Sequence, residues 1–219
     1  MKCRSVPHLP HRAVRLYFGQ ASSGENMAQK YFLLLFIFYL PVYLVGVFYL
    51  RSKIQGYSMR AHMVSYLAHS AEPWRSIFNT ATILYGGLSI VVPVSLNNLL
   101  GTGHPVSLGA ASLLATGTAT ILVGFFPMDR RLKVHNLVAF FAFFSALFTG
   151  FVFQSIFNHG LLHSSLMEGV NVLVIGVTLL LGISLLFRRQ ESSLLEWIAF
   201  VCTIAWNFLL AILLLTHLH

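Results

Sequence analysis

Five polar residues stand close to the ends of apolar runs and are of types that bind polar groups or move protons. They are Arg75, Asn79, Asp129, His135 and Asn136. Asp129 follows a helix-breaking proline and can cap the next helix, and His135 stands one to two helical turns further on. An Asp and a His so placed can relay a proton or grip a lipid headgroup, but an ordinary turn also uses an aspartate cap. The sequence leaves both interpretations open.

A second set of residues has the types that form a metal site. It consists of His104, His159, His163 and Glu168. His159 and His163 are four residues apart and share one face if that segment is helical, and the other two can supply further ligands. The pattern lacks the glutamate of a metalloprotease motif and arises by chance in a chain with ten histidines, so interfacial histidines are the competing interpretation. His135 lies too near the end of its run for a bis-histidine haem, and we expect no cofactor.

Membrane-spanning helices must position these residues. The chain of 219 residues is 57% hydrophobic and 9% charged, with a mean hydropathy of +0.76, whereas soluble domains carry about 25% charged residues. Six apolar runs each approach the ~20 residues needed to cross a bilayer. They cover residues 31–50, 77–100, 106–127, 134–157, 167–187 and 194–216. The sequence predicts an all-α integral membrane protein, a six-transmembrane-helix bundle, with kinks at Pro41 and Pro93.

The N-terminal segment and the longest connection between the runs are basic. Residues 1–29 mix positive charge with Pro, Gly and Ser, which predicts a flexible N-terminal tail before a transmembrane domain over 30–219. Initiation at Met27 would make the first 26 residues dispensable. The connection 51–76 is the one sizeable loop, and we expect part of it to form an interfacial helix through Met63, Tyr66 and Leu67, ending before Pro73.

The loop charges predict an orientation. Loops one, three and five carry nine Lys and Arg residues, whereas loops two and four and the C-terminal tail carry none. Because positive loops stay in the cytoplasm, we expect a multi-pass protein of the inner (plasma) membrane with both termini outside. The formal net charge of +8 is explained by these loops, so we expect no nucleic-acid partner.

Small and polar residues form stripes along the second, third and fourth runs. In the second run the residues at helical spacing are Asn79, Thr82, Gly86, Ser89, Pro93 and Asn97. In the third run they are Gly109, Ser112, Thr116, Thr120 and Gly124. In the fourth run they are His135, Ala139, Ala142, Ala146 and Thr149. Such stripes let helices approach closely, and the phenylalanines of the fourth run then face lipid. A polar cavity between these helices is the alternative, because Asn79, Asn97, Asn171 and Asn207 are costly to expose to lipid.

Several short patterns resemble a known family. They are Ser65-Tyr66-Leu67, Pro73 with Ile77-Phe78-Asn79, Gly86-Gly87, Gly124-Phe125-Phe126-Pro127-Met128-Asp129 and His135-Asn136. Over residues 31–216 the chain is similar to the prokaryotic membrane family catalogued as domain of unknown function 998. The resemblance implies a six-helix inner-membrane protein, with a looser likeness to eukaryotic six-span proteins associated with lipid remodelling. It implies no established activity.

These observations favour a non-enzymatic protein whose partners are membrane lipids. We expect the first set of residues to line a polar crevice at the cytoplasmic ends of helices two to four and to bind lipid there. A small-solute transporter and a metal-dependent hydrolase using the outer histidines are the alternatives. A homo-oligomer and a second membrane protein are both open as further partners.

Overall fold

The computed structural model describes residues 23–101, 103–127, 132–162, 164–187 and 192–217. Within these ranges the regular structure is helical, with a short 3₁₀ helix at Val64–His69. The α-helices are α1 (Ser23–Lys53), α2 (Trp74–Ser89), α3 (Val91–Leu100), α4 (Val106–Phe125), α5 (Leu132–Asn158), α6 (Ser165–Leu186) and α7 (Ser192–His217).

Six segments of the described chain are long and apolar enough to cross a membrane, which confirms the predicted fold class. Five of these spans each lie in a single helix. The second span, Trp74–Leu100, is made by α2 and α3 together. A helix satisfies its own backbone hydrogen bonds, so it is the form in which such apolar runs can enter lipid. The chain is therefore a multi-pass membrane protein. The exposed phenylalanines of α5, such as Phe140 and Phe144, face outward as predicted.

The first helix begins earlier than the sequence predicted. α1 starts at Ser23, so residues 23–29 are helical and do not belong to a flexible tail. This stretch contains no proline, and its Gln29 is buried and accepts a hydrogen bond from Asn98 Nδ2 at 3.3 Å. The contact with the end of α3 gives the first turns of α1 a tertiary partner. The remainder of the predicted tail, residues 1–22, lies outside the described residues.

The two intramembrane prolines have different effects. α1 continues through Pro41 without interruption. The second span is interrupted at Ile90, between α2 and α3, where the chain makes a turn. Pro93 has no N–H to offer the carbonyl of Ser89 four residues earlier, so one helical hydrogen bond cannot form at this point. The second span is therefore interrupted for one residue, Ile90, which keeps helical dihedral angles of φ −63° and ψ −23°.

The helices form a ring in chain order. α1 packs against α2, α2 against α4, and each later helix against the next, until α7 closes the ring by packing against α1. Two ends result. We call one the basic end, because Arg51, Lys53, Arg75 and Lys133 lie at the helix termini there, together with the connection 54–73. The other end carries the connections 101–105 and 159–164.

The connection 54–73 folds over the basic end and is fixed to α7. Ser65 donates its backbone N–H to Glu196 Oε1 at 3.2 Å, and Trp197 Nε1 donates to the carbonyl of His62 at 3.2 Å. The segment in which an interfacial helix was predicted forms the 3₁₀ helix Val64–His69, whose Leu67 is buried. Burial also raises the pKa of Tyr57 in this connection above its ordinary value. The loop is thus a packed part of the fold.

Glycines allow α2 and α4 to pack closely. A Cβ added at Gly86 would lie 2.7 Å from the carbonyl oxygen of Gly117, and one added at Gly124 would lie 2.9 Å from the carbonyl oxygen of Asn79. No side chain fits at either position without moving a backbone. The small residues predicted to pack thus do so between α2 and α4.

Candidate functional site

The residues of the predicted lipid crevice lie in different environments at the basic end. Arg75 is in the first turn of α2, and its Nη2 forms an ion pair with Glu72 Oε1 at 2.7 Å. Asn79 follows one turn later, and its Oδ1 is buried without a partner among the described residues. Asn136 is exposed in the first turns of α5. Asp129 lies outside the described residues.

His135 connects the end of α4 to the start of α5. Its side chain is 2% exposed, and its Nδ1 lies 2.7 Å from the carbonyl oxygen of Phe126. A carbonyl oxygen only accepts, so the ring carries a proton on Nδ1 and donates it. In this conformation His135 holds the corner between the two helices and does not face the surface.

The described residues of the predicted metal set belong to different segments of the chain. His104 is exposed in the connection 101–105. His159 is exposed after α5, and its Nδ1 lies 2.7 Å from the carbonyl oxygen of Ser155. Glu168 is in the first turn of α6. His163 lies outside the described residues, and among the residues that are described no three His, Cys, Asp or Glu side chains are close enough to share a metal ion.

A small cavity with both apolar and polar side chains in its wall lies inside the ring. Its volume is about 30 Å³, and helices α2, α4, α5, α6 and α7 all contribute to its wall. None of the lining side chains carries a formal charge. The polar ones are Tyr85, Ser89, Thr116, Thr120, Thr149, Asn171, Thr203, Trp206 and Asn207. We call this space the central cavity.

Asn171 of α6 is held at the cavity wall by hydrogen bonds to two other helices, α5 and α7. Trp206 Nε1 donates to Asn171 Oδ1 at 3.0 Å, and Asn171 Nδ2 donates to the carbonyl of Gly150 at 3.0 Å and to Gln154 Oε1 at 3.1 Å. The indole can only donate and the carbonyl can only accept, so the orientation of the amide is fixed by its partners. Asn171 is 0% exposed, and its amide protons are both used. This network joins α5, α6 and α7.

Asn207 forms the second part of the wall. Its Nδ2 donates to Tyr85 Oη at 3.1 Å and to the carbonyl of Thr203 at 2.9 Å. The two amide protons are again used within the protein, and Asn207 Oδ1 has no hydrogen-bond partner among the described residues. Asn207 is 7% exposed and lines the cavity.

Four hydroxyl groups of the cavity wall donate their protons within their own helices. Ser89 donates to the carbonyl of Gly86, and Thr116 donates to the carbonyl of Ser112. Thr120 and Thr149 likewise donate to carbonyls one turn earlier in their own helices. A hydroxyl whose proton is bonded in its own helix keeps lone pairs available for a ligand. Tyr85 and Thr203 add hydroxyl groups that can also donate, so the wall offers both acceptors and donors.

A second space opens on the outside of the ring, between α1 and α2. Its volume is about 550 Å³, within the ~300–1,000 Å³ range of ligand pockets. We call it the lateral groove. Its wall is mainly apolar and is formed by Tyr39, Val42, Tyr43, Gly46, Val47, Tyr49, Leu50, Trp74, Ser76, Ile77, Thr80, Ala81 and Leu84.

Two tyrosines hold the floor of the lateral groove together. Tyr39 Oη donates to the carbonyl of Ala81 at 2.7 Å, and the hydroxyls of Tyr43 and Thr82 are 3.1 Å apart. The polar ends of the tyrosines are therefore satisfied across α1 and α2. What remains for an occupant of the groove is mainly apolar side-chain surface.

The sequence pointed to part of these sites. Asn171 and Asn207 were recognised as costly to place in lipid, and both line the central cavity. Helices α6 and α7 were not assigned to that cavity, however, and Tyr85, Thr203 and Trp206 were missed, because tyrosine and tryptophan also occur singly in lipid-facing positions. The lateral groove was also missed, since a gap between two apolar helices has no signal in either helix alone.

Comparison with known proteins gives one match. The family model described as "Protein of unknown function (DUF998)" matches residues 39–213, which confirms the resemblance noted in the sequence. No curated protein and no solved structure matches the chain.

Proposed function

Since the chain belongs to the DUF998 family of unknown function, we propose a function from its geometry: it binds anionic phospholipid, with an acyl chain in the lateral groove and the headgroup at the basic end. The lateral groove carries this proposal. It opens toward the membrane, and its wall includes exposed apolar side chains such as Val42 and Leu84. An acyl chain is the ligand that matches an apolar groove reached from lipid.

Positive charge lies next to one end of the groove. Leu50 and Trp74 line the groove, and Arg51 and Arg75 directly follow them in sequence. Lys53 is exposed two residues after Arg51. Each Lys or Arg near an anionic lipid surface contributes about 1 kcal/mol of attraction. These charges select an anionic headgroup over a zwitterionic one.

Arg75 belongs both to the groove's rim and to the crevice predicted from the sequence. Its partner Glu72 is half-exposed, and an ion pair so close to water contributes little stability. A phosphate can replace this carboxylate at small cost. Asn136, exposed on the same end, is a further headgroup partner in our proposal, and His135 positions the α4–α5 corner beside it. We place the basic end in the cytoplasm on the strength of its charge.

Filling the groove tests the proposal. A Cβ added at Gly46 meets nothing within 4 Å, so Gly46→Leu places a side chain in the groove without a clash at the backbone. Gly176→Leu is the matched control, because Gly176 is also a helical glycine with nothing within 4 Å and lies on α6, away from the groove. We expect native mass spectrometry to show anionic phospholipid on the wild type and the control, and about tenfold less on Gly46→Leu, a loss of ~1.4 kcal/mol.

The headgroup is tested separately. The double variant Arg51→Gln, Lys53→Gln should reduce the preference for phosphatidylglycerol over phosphatidylcholine by about tenfold or more, as expected for two charges worth ~1 kcal/mol each. Equal lipid retention by the wild type and Gly46→Leu would refute the groove as the site. The double variant Asn79→Leu, His135→Leu tests the predicted crevice in the same assay.

Transport of a small polar solute is the second candidate, and the central cavity favours it. The cavity lies beside the break between α2 and α3, and interrupted helices that line a cavity mark substrate sites in transporters. Uptake into liposomes containing the purified protein would support transport. Specific lipid without uptake would support lipid binding alone.

A further inference from the structure

We propose that the lateral groove binds the ester groups of a glycerophospholipid through two hydroxyl groups, those of Tyr49 and Thr80. This inference rests on the proposed function and names the class of lipid that the groove selects. Both residues line the groove, Tyr49 from α1 and Thr80 from α2. An ester carbonyl oxygen accepts hydrogen bonds and does not donate them, so it needs donors of this kind.

The other hydroxyl groups of the groove are already engaged. Those of Tyr39, Tyr43 and Ser76 are bonded within the protein. Those of Tyr49 and Thr80 have no hydrogen-bond partner among the described residues, and both residues are exposed. An occupant of the groove therefore meets two hydroxyl donors that no protein group uses.

Thr80 lies at the depth at which ester groups are found. It follows Arg75 by five residues in α2, which places it up to about 7.5 Å deeper in the membrane. A bilayer is about 40–45 Å thick with its headgroups and about 30 Å thick without them, so each interfacial region is about 5–7.5 Å deep. With the phosphate at Arg75, Thr80 therefore reaches the lower boundary of this region, where the ester groups join the acyl chains.

Tyr49 places the second hydroxyl near the headgroup charge. The ammonium group of Lys53 lies over its ring, with 4.9 Å between Nζ and the ring centroid. Farther from the basic end, the wall continues with apolar residues such as Val42 and Leu84. Charge, hydroxyl groups and apolar surface thus follow one another along the groove. Phosphate, ester and acyl chain follow one another in the same order in a glycerophospholipid.

A lipid without ester carbonyls tests the inference on the full chain. Diacyl phosphatidylglycerol competes with its dialkyl ether analogue, matched in headgroup and chain length, and native mass spectrometry measures the ratio of the two lipids on the protein. A hydrogen bond of ordinary net strength changes an affinity by about 2–10-fold. We expect the wild type to prefer the ester lipid by about fivefold or more, because two hydroxyl groups contribute.

Variants that remove single hydroxyl groups assign the preference to the groove. Thr80→Val and Tyr49→Phe should each lower the ester preference by about twofold or more. Thr118→Val is the matched control, because Thr118 is also an exposed helical threonine but lies in α4 and does not line the groove. We expect it to keep the wild-type preference.

The outcomes separate this inference from the proposed function. Absence of both lipids from the wild type would refute the proposed function and this inference with it. Binding of both lipids in equal amounts would leave lipid binding intact and refute the ester site alone. An ester preference that both Thr80→Val and Tyr49→Phe leave unchanged would do the same, as would an equal loss of preference in Thr118→Val.

Discussion

Replacing two adjacent glycines of α2 with alanine tests how closely the membrane helices pack. Gly86 faces α4, and an added Cβ would lie 2.7 Å from the carbonyl oxygen of Gly117 and 2.8 Å from the backbone nitrogen of Ile121. Real Cβ atoms do not show such distances, so α2 and α4 must separate in Gly86→Ala. Gly87 is the next residue and is exposed, and its Cβ would meet nothing within 4 Å. The two variants have the same change in composition and differ only in what they contact.

The expected effects have opposite signs. Overpacking costs about 1–3 kcal/mol, and replacing a helical glycine with alanine returns about 0.5–1 kcal/mol. Gly86→Ala should therefore lose roughly 1–2 kcal/mol, which lowers Tm by about 3–8 °C in a chain of this size. Gly87→Ala should gain stability, with Tm raised by about 1–4 °C.

The measurement is thermal unfolding in detergent followed by tryptophan fluorescence, because Trp206 lies at the centre of the ring. The comparison is internal, since both variants contain one alanine in place of one glycine in the same helix. If Gly86→Ala is as stable as Gly87→Ala, α2 and α4 do not approach as closely as described. The arrangement of the cavity wall formed by these two helices would then have to be revised.

Three further predictions concern the ends of the ring. Glu196→Ala removes the acceptor of the Ser65 N–H, so we expect hydrogen exchange at Ser65 to accelerate at least tenfold, with unchanged exchange contradicting the attachment of this loop to α7. The pKa of Glu72 should lie below its ordinary value, chiefly because Ser76 hydrogen-bonds to its carboxylate. The contribution of this carboxylate to folding stability is present at pH values above the ordinary pKa and is lost as pH falls through the lowered one. NMR titration of Ser76→Ala should show a higher pKa for Glu72 than in the wild type. A phosphatase fused after His219 should be active and a cytoplasmic fluorescent reporter dark, while the reverse result would invert the orientation.

The spans were predictable because the signal for each one is local. A run of about 20 apolar residues has to be helical wherever its neighbours are, since lipid leaves no other way to satisfy the backbone. The start of α1 was harder to predict from the sequence, because residues 23–29 are mostly polar. Their helix is supported by a contact between Gln29 and Asn98, which is distant in the sequence. The stripe containing Gly86 was also predicted, although its partner Gly117 was not among the residues of the predicted stripe in α4.

The sites depend on which helices are neighbours, and that information is not local. The sequence indicated that Asn171 and Asn207 need polar partners, but it did not indicate that Trp206 and Tyr85 supply them. These pairs are separated by 35 and 122 residues. The predicted residues of the lipid crevice were chosen by their common membrane face, which places them at one end of the ring but does not define which of them reaches a ligand.

The closing of the ring by α7 has a consequence for synthesis. Membrane helices enter the bilayer from the N-terminus onward, and each helix up to α6 finds its main neighbours among those already made. α7 arrives last and brings Trp206 and Asn207, the hydrogen-bond partners of Asn171 and Tyr85. Before α7 is inserted, Asn171 keeps its two donated bonds to α5, but Asn171 Oδ1 and Tyr85 Oη lack the donors that α7 brings.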